Sequence, residues 1–456
     1  MKTKLKELAR ILFLSAPLIL GFIGYLQAGE SVSQAIYASL CLYGMGQKEM
    51  PANIVIEIAR WIAPLATAST VFIVARSVRR RIREFISACT SDSVAVRGPK
   101  AEKEAMLKRL GRRGIDMENS PVNANHYILL GDEVESLSFY RNHLKDKKAE
   151  VFVQCSSLPE HAEMENLRLF CPERTASRVF WDKHCPYELF IDSNRRLDIV
   201  IIGFEKLARE LLLSALHVNV FSVDQNVTYH IFGKERGFSD TYHELHNIPD
   251  RVVFHKESWK KATDLIADAE MVIVAKQKDQ FDLLNDLMLA IPAKNIYVLS
   301  AQPVGVELLA KSSSESRLIP FDWKGEALDP HNILRLDTVY YAKKLFMMYS
   351  PNAKGIDEEW MALSAQNRYS YLRAADFRQV AKKLLGDRPL DAESLEELAM
   401  IEHERWCRYH YLNNWTYGEK KDFTLRTHPC LVEYNALSDR LKESDRINIR
   451  YLLQLN

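Results

Sequence analysis

Three kinds of apolar run divide this chain before any motif is considered. From Ile11 to Gly29, 19 residues pass without a charge (ILFLSAPLILGFIGYLQAG), enough for one helix to cross about 30 Å of hydrocarbon. A second apolar stretch runs from Ile54 to Ala75, its only charges being Glu57 and Arg60, one helical turn apart, where they can pair or reach an interface. Between them SVSQAIYASLCLYGMGQ, Ser31 to Gln47, carries no charge but is too short to span. Beyond residue 126 the pattern changes to short apolar runs separated by turns and amphipathic stretches, the signature of buried parallel strands alternating with helices.

Flanking charge orients the first part. Lys2, Lys4, Lys6 and Arg10 precede the first run, and Arg76, Arg79, Arg80, Arg81 and Arg83 follow the second. The excess of cations at both ends predicts a transmembrane hairpin over residues 1–85, multi-pass in the inner (plasma) membrane, with both termini cytoplasmic and the lipid bilayer as its first partner. A cleaved signal peptide shares the basic start and apolar run, but this run is long, a second follows it, and the arginines resist translocation. Residues 31–47 leave two readings open. One is a re-entrant pore helix ending at Tyr43, Gly44 and Gly46, the candidate pore residues; the other is an interfacial helix that braces the anchor. There is no T-V-G-Y-G filter, so potassium selectivity does not follow.

Residues 86–125 are polar and charged and are expected to form a linker with a short helix. The stretch YILLGDEVESLSFYRNHLKDKKAEVFVQC, beginning at Tyr127, reads as strand, turn, helix and strand, a truncated Rossmann-like unit over 126–195. Its turn keeps one glycine, Gly131, and its acids Asp132, Glu133 and Glu135 would repel a pyrophosphate where a helix N-terminus otherwise attracts one. A second unit over 196–335 opens with LDIVIIGFEKLARELLLSALHVNVFSVD. Asp224 is expected to end its second strand about 20 residues after Gly203, so these two are the candidate cofactor-binding residues. Phe204 and Glu205 stand against phosphate there, and no cofactor is firmly implied. Further runs at Val252–Phe254, Met271–Ala275 and Asn295–Ser300 complete a doubly wound parallel sheet, an α/β fold.

Composition narrows the function. Lys and Arg number 61 against 60 Asp and Glu, so overall charge gives no footing for nucleic acid. The seven cysteines are scattered and form no C-x-x-C pair, which points to neither a zinc site nor a disulfide framework. No G-x-S-x-G, Walker or kinase motif occurs, His403-Glu404 has no second histidine four positions on, and neither an enzyme nor a metal site is expected.

Two spans followed by degenerate Rossmann units resemble bacterial ligand-gated potassium channels of the TrkA-N or RCK kind, and a related group of two-span proteins that end in an RyR domain. Tyr37-Ala38-Ser39-Leu40 and Glu57-Ile58-Ala59-Arg60-Trp61-Ile62-Ala63-Pro64 carry the likeness in the membrane portion. The C-terminal part, 336–456, carries a more specific one. In IEHERWCRYHYLNNWTYGEKKDFTLRTHPCLVEYNAL, His403, Glu404 and Trp406 match an H-E-x-W helix. Trp415, Tyr417 and Gly418 match G-W-x-Y-G with Asn414 in place of the first glycine, and His428 to Val432 with Tyr434 match H-P-C-L-V-x-[FY]. Over about 50 residues this closely resembles the ryanodine-receptor repeat, or RyR, domain, which implies a mainly α module.

Aromatic faces beside Arg and Lys suit a planar, phosphate-bearing ligand, by stacking and by charge-assisted hydrogen bonds. The candidate ligand-binding residues are Asn367, Arg368, Arg373, His403, Glu404, Arg405, Trp406, Trp415, Tyr417 and Lys420. The same aromatics would equally serve as the core of a small helical domain. The expectation is a ligand-gated membrane effector, an oligomeric channel or pore, most simply a homotetramer, that senses a nucleotide-like small molecule. The resemblance implies a role in antiphage signalling by nucleotide second messengers. The alternatives are a membrane-anchored nucleotide-binding scaffold without conduction, and an NAD-dependent enzyme on an anchor.

Overall fold

The computed structural model describes residues 2–44, 51–88, 92–157, 162–163, 165–291, 294–312, 317–350 and 355–454, with side chains other than those of 2–11, 72–88, 312 and 454. They form two compact units, Met1–Ser91 and Asp92–Asn456.

The first unit holds three helices, α1 (Lys2–Gln27), α2 (Val32–Cys41) and α3 (Ile54–Ala88). Among the described residues, one window is long and apolar enough to cross a membrane, 54–71 in α3; the apolar part of α1, Leu12–Gln27, is shorter. The helices meet through small residues. A Cβ on Gly24 would lie 2.7 Å from Ile56 Cγ1, and one on Gly21 would lie 3.0 Å from Leu42 and Ser39, while Ala35, Ala38, Ala59 and Ala63 are buried beside them. Glycine and alanine let backbones approach closely enough for dispersion and short hydrogen bonds to hold a helix pair without a large core. Ser31 caps α2 by accepting the Gln34 N–H. The Tyr43 hydroxyl donates to the Leu14 carbonyl, and the Thr67 hydroxyl donates to the Tyr43 carbonyl at 3.0 Å. Tyr43 therefore ties the chain after α2 to both long helices. Among the described residues a Cβ on Gly44 would meet nothing within 4 Å, and Gly46 lies outside the described residues, as do the side chains of Arg76 to Arg83.

Among the described residues the second unit contains two large parallel sheets and a two-stranded parallel pair, Thr416–Tyr417 with Thr427–His428. The first comprises β1 (Val94–Arg97), β2 (Gly114–Asp116), β3 (His126–Leu129), β4 (Glu150–Gln154) and β5 (Leu167–Phe170), ordered β2-β1-β3-β4-β5. This is the strand order 2-1-3-4-5 of flavodoxin-like folds. The linker expected over 86–125 is thus corrected: it supplies two strands and the helix Lys100–Leu110. The run SVAVR is short and flanked by charge, but Val94, Ala95 and Val96 are fully buried. The unit is accordingly a complete five-stranded sheet rather than a truncated one. Ala95, Tyr127, Leu129, Val151 and Val153 face the helix Glu133–His143, whereas Val94, Val96, Ile128 and Phe152 face Met106 and Leu110. Strands buried on both faces need no polar alternation, which is why they read as continuous apolar runs.

The second sheet comprises β6 (Arg196–Ile202), β7 (Asn226–Phe232), β8 (Arg251–Phe254), β9 (Met271–Val274), β10 (Asn295–Ser300) and β11 (Arg317–Asp322), ordered β11-β10-β9-β6-β7-β8. Counted from β6 this is 3-2-1-4-5-6, the order of dinucleotide-binding folds. The doubly wound parallel architecture expected from sequence is therefore present twice.

Its expected cofactor residues do not come together. The helix after Gly203 runs from Lys206 to Val218, and β7 begins at Asn226, so Asp224 precedes its strand and lies at the sheet edge opposite the Gly203 turn. The stretch NVFSVD looked like a strand because it is apolar. It is instead a turn in which Gln225 Oε1 accepts the Phe221 N–H at 2.7 Å and Gln225 Nε2 donates to the Asn219 carbonyl at 3.0 Å. Gly203 has φ +93, and a Cβ there would lie 2.8 Å from the backbone N of Lys276. Close approach of that backbone explains the glycine. Phe204 is buried against Phe238 and Phe254 in the space a pyrophosphate would need. The residues present do not fit a dinucleotide.

After β11 the chain is helical: Leu336–Tyr349, Ile356–Ala362, Ala365–Asp376, Arg378–Leu385, Ala392–Tyr411 and Asp439–Gln454. These helices share the second sheet's core. Phe377, Val380, Leu395, Leu398, Ile401, Leu412 and Ile449 belong to one buried cluster with Ile199, Ile201, Leu211 and Tyr229.

Candidate functional site

The helix Ala392–Tyr411 starts at a capping box, in which Asp391 Oδ1 accepts the Ser394 N–H and Ser394 Oγ accepts the Asp391 N–H, each at 3.0 Å. From that fixed start, His403, Trp406, Cys407 and His410 recur at three- and four-residue spacing along one side. The helix ends where Asn414 takes a left-handed conformation, φ +57, its Nδ2 donating to the Thr241 carbonyl at 2.8 Å. Asparagine tolerates that conformation better than most side chains, which accounts for a residue exchangeable with glycine there. The turn throws Trp415 back under the helix, fully buried.

The result is a cleft of about 390 Å³ between the helices Ala365–Asp376, Ala392–Tyr411 and Asp439–Gln454. Its aromatic wall is continuous. Trp406 lies 4.0 Å from His410 and 5.0 Å from His428 between ring centroids, and Trp415 packs edge-on to His410 at 5.5 Å and to Phe423 at 5.6 Å. His403 stacks on Trp406 at 5.8 Å with an interplanar angle of 18°.

The three histidines are electrostatically distinct. Both nitrogens of His403 face acceptors: Nδ1 is 3.2 Å from Asp445 Oδ2 and Nε2 is 2.9 Å from the Val432 carbonyl. Burial opposes the charge, but the hydrogen bonds and charges of Asp445 and Cys407 together outweigh it and raise the pKa to about 11, so the ring is an imidazolium. His410, whose Nδ1 lies 2.9 Å from the Trp406 carbonyl, is held neutral by burial, its pKa pushed down to about 3. His428 accepts the Cys430 N–H at 3.1 Å, and burial together with nearby Lys421 takes it down to about 4. Arg405 gives its fork to Glu402 at 2.7 and 2.9 Å, so its charge is already matched. Lys421, over the Phe423 ring at 4.9 Å, adds a cation to the lining. A planar heteroaromatic group would meet stacking faces, two neutral imidazoles able to donate or accept, and one ammonium.

Of the residues expected from sequence, Asn367, His403, Arg405, Trp406 and Trp415 line this cleft. Glu404 does not; it turns to Arg408, whose Nε is 2.9 Å from Glu404 Oε1. Tyr417 and Lys420 are exposed outside the lining. Arg368 and Arg373 occupy the other face of the helix Ala365–Asp376 and line a different cavity. Sequence reasoning missed His410, Lys421, Phe423, His428 and Asp445 as lining. The seven-residue step from His403 to His410 on the Trp406 face was a usable signal; the partnership of His403 with Asp445 had none.

No solved structure matches the chain. Residues 390–455, which hold the His403 helix, the Trp415 turn and the helix bearing Asp445, match the family model of the RyR domain.

Proposed function

We propose that this chain is a membrane-anchored, non-enzymatic sensor in which the aromatic cleft of the RyR domain binds a nucleotide-like small molecule and biases an oligomeric assembly of the anchor. The observation that carries the reading is the cleft itself, with the half-buried ring of Trp406 and the buried Trp415 in its wall beside neutral His410 and His428 and the ammonium of Lys421. Membrane attachment at the inner membrane is supported by α1 and α3, on which Leu12, Ile19, Ile23, Ile54, Trp61 and Leu65 are exposed. An apolar surface of that breadth matches hydrocarbon better than water. The helix α3 continues for 35 residues, well beyond its apolar part, and would transmit a change through Arg76 to Arg83. A ligand gates only if it binds one arrangement more tightly than the other.

Conduction, a homotetramer and antiphage signalling extend this reading. A scaffold without conduction is the second reading, favoured by Tyr43, whose hydroxyl is committed to the Leu14 carbonyl. Calorimetric titration of the full chain in detergent with a panel of mono- and cyclic dinucleotides tests the binding step. Saturable heat that Trp406→Ala abolishes supports it, and no heat with any member removes it. Planar-bilayer recording then separates the readings: ligand-dependent conductance lost on Gly44→Trp indicates a pore, and a silent bilayer with intact binding indicates a scaffold.

A further inference from the structure

On the face of the helix Ala365–Asp376 turned away from the aromatic cleft, a cavity of about 70 Å³ is lined by Arg168, Arg174, Arg178, Arg335, Arg368 and Arg373. Among the described residues these six guanidinium groups face five carboxylates, of which Asp182 acts on Arg178 through its charge. Arg168 pairs with Glu150 at 2.9 Å, Arg174 with Glu210 at 2.9 Å, and Arg335 and Arg373 share Asp376. Arg178 Nη2 donates to the Asn332 carbonyl at 2.7 Å. Glu163 accepts the Tyr369 hydroxyl and the Leu169 N–H, each at 2.8 Å, through Oε1.

Arg368 is the least satisfied of the six. It is 2% exposed, and among the described residues its Nη2 reaches the Leu363 carbonyl at 3.3 Å while its Nε and Nη1 have no hydrogen-bond partner. A buried guanidinium with two unused donors costs several kcal/mol by the general behaviour of desolvated charge, and a fold keeps one where an anion completes it. A neighbouring polar cleft of about 590 Å³ shares Tyr369, Arg174 and Arg373 with this cavity. There Ser214 Oγ and His217 Nδ1 are likewise buried without a hydrogen-bond partner among the described residues.

We infer that the arginine-lined cavity is a phosphoryl-binding site, with the Arg368 fork and Arg178 holding the phosphoryl oxygens and the remainder of the ligand lying toward Ser214 and His217. The cavity has room for one tetrahedral oxyanion. Guanidinium is the group best matched to it, because each edge offers two parallel donors; on Arg368 the second hydrogen of Nη2 would complete that pair with the free Nε or Nη1. The arginine-lined cavity shares no lining residue with the aromatic cleft, whereas the adjoining polar cleft shares Gln366, Tyr409, Trp415 and Phe423 with it; the phosphoryl site does not depend on the aromatic cleft's role.

The test uses the full chain in detergent, with inorganic phosphate and adenosine 5′-monophosphate as probes, read by calorimetric titration and by the thermal midpoint. Both probes should bind and raise the midpoint, with the mononucleotide the tighter of the two. Arg368→Met should weaken phosphate at least tenfold, whereas Trp406→Ala should leave it unchanged. Should the methionine variant fail to fold, Arg368→Lys, which keeps the charge and loses the fork, should show the same direction. Absence of binding by either probe, or equal affinity in the Arg368 variant, would overturn the site. Phosphate binding with no gain from the nucleoside would overturn the assignment of the adjoining cleft.

Discussion

Arg408 and Asp250 are separated by 158 residues and both are fully buried, with Nη1–Oδ2 at 2.7 Å and Nη2–Oδ1 at 3.2 Å. Asp250→Ala leaves Nη1 and Nη2 of Arg408 without their acceptor in low dielectric while Nε keeps Glu404, so it should cost about 3 kcal/mol. The double variant Asp250→Ala/Arg408→Met should recover part of that, as read from urea unfolding. His403 gives a pH prediction. Its folded pKa, about 11, lies above the unfolded value of about 6.5, so its contribution is complete below the unfolded value and is lost as pH rises through the folded one. Unfolding midpoints between pH 8 and 11 should fall less steeply in His403→Gln than in the parent. At this scale the sequence was half legible. His403, Trp406 and Trp415 stood out by residue type and spacing, but Arg368 and Glu404 looked equivalent to them, because nothing in a one-dimensional string says which side of a helix meets which neighbour.

Elements were easiest to find where burial is greatest. The strands β3, β4, β6, β9 and β10 are apolar runs of a length that only a sheet buried on both faces explains. The first strand β1 was hidden by its charged surroundings, and β7 by an apolar turn before it that mimics a strand. That misplacement carried Asp224 to the wrong edge of the sheet. Gly203 was found for the wrong reason, and the true one is testable. Gly203→Ala would place a Cβ within 2.8 Å of the Lys276 backbone at φ +93, and should cost roughly 1–3 kcal/mol by guanidinium unfolding without altering ligand binding. Gly44→Ala, whose Cβ would meet nothing within 4 Å among the described residues, should leave the amount of folded protein in detergent unchanged.

Across the whole molecule, the RyR domain and the second sheet are not beads on a string. Leu398 and Ile401 of the His403 helix share a core with Ile199 and Leu211 of the sheet and its covering helix, so residues 92–456 should unfold in one transition, with tryptophan fluorescence and far-ultraviolet circular dichroism coinciding. The sequence could name the RyR domain from its motif but could not show that its apolar face was already occupied, since that depends on contacts more than 150 residues apart. A final consequence concerns the helix Ala365–Asp376, which turns Asn367, Ser370 and Tyr371 toward the aromatic cleft and Arg368, Leu372 and Arg373 toward the arginines. It is a party wall between two rooms, and any guest that stiffens it from one side spares the second guest part of that ordering cost. Occupancy on each side must then change affinity on the other by the same factor, a reciprocity that needs no visible displacement of the chain.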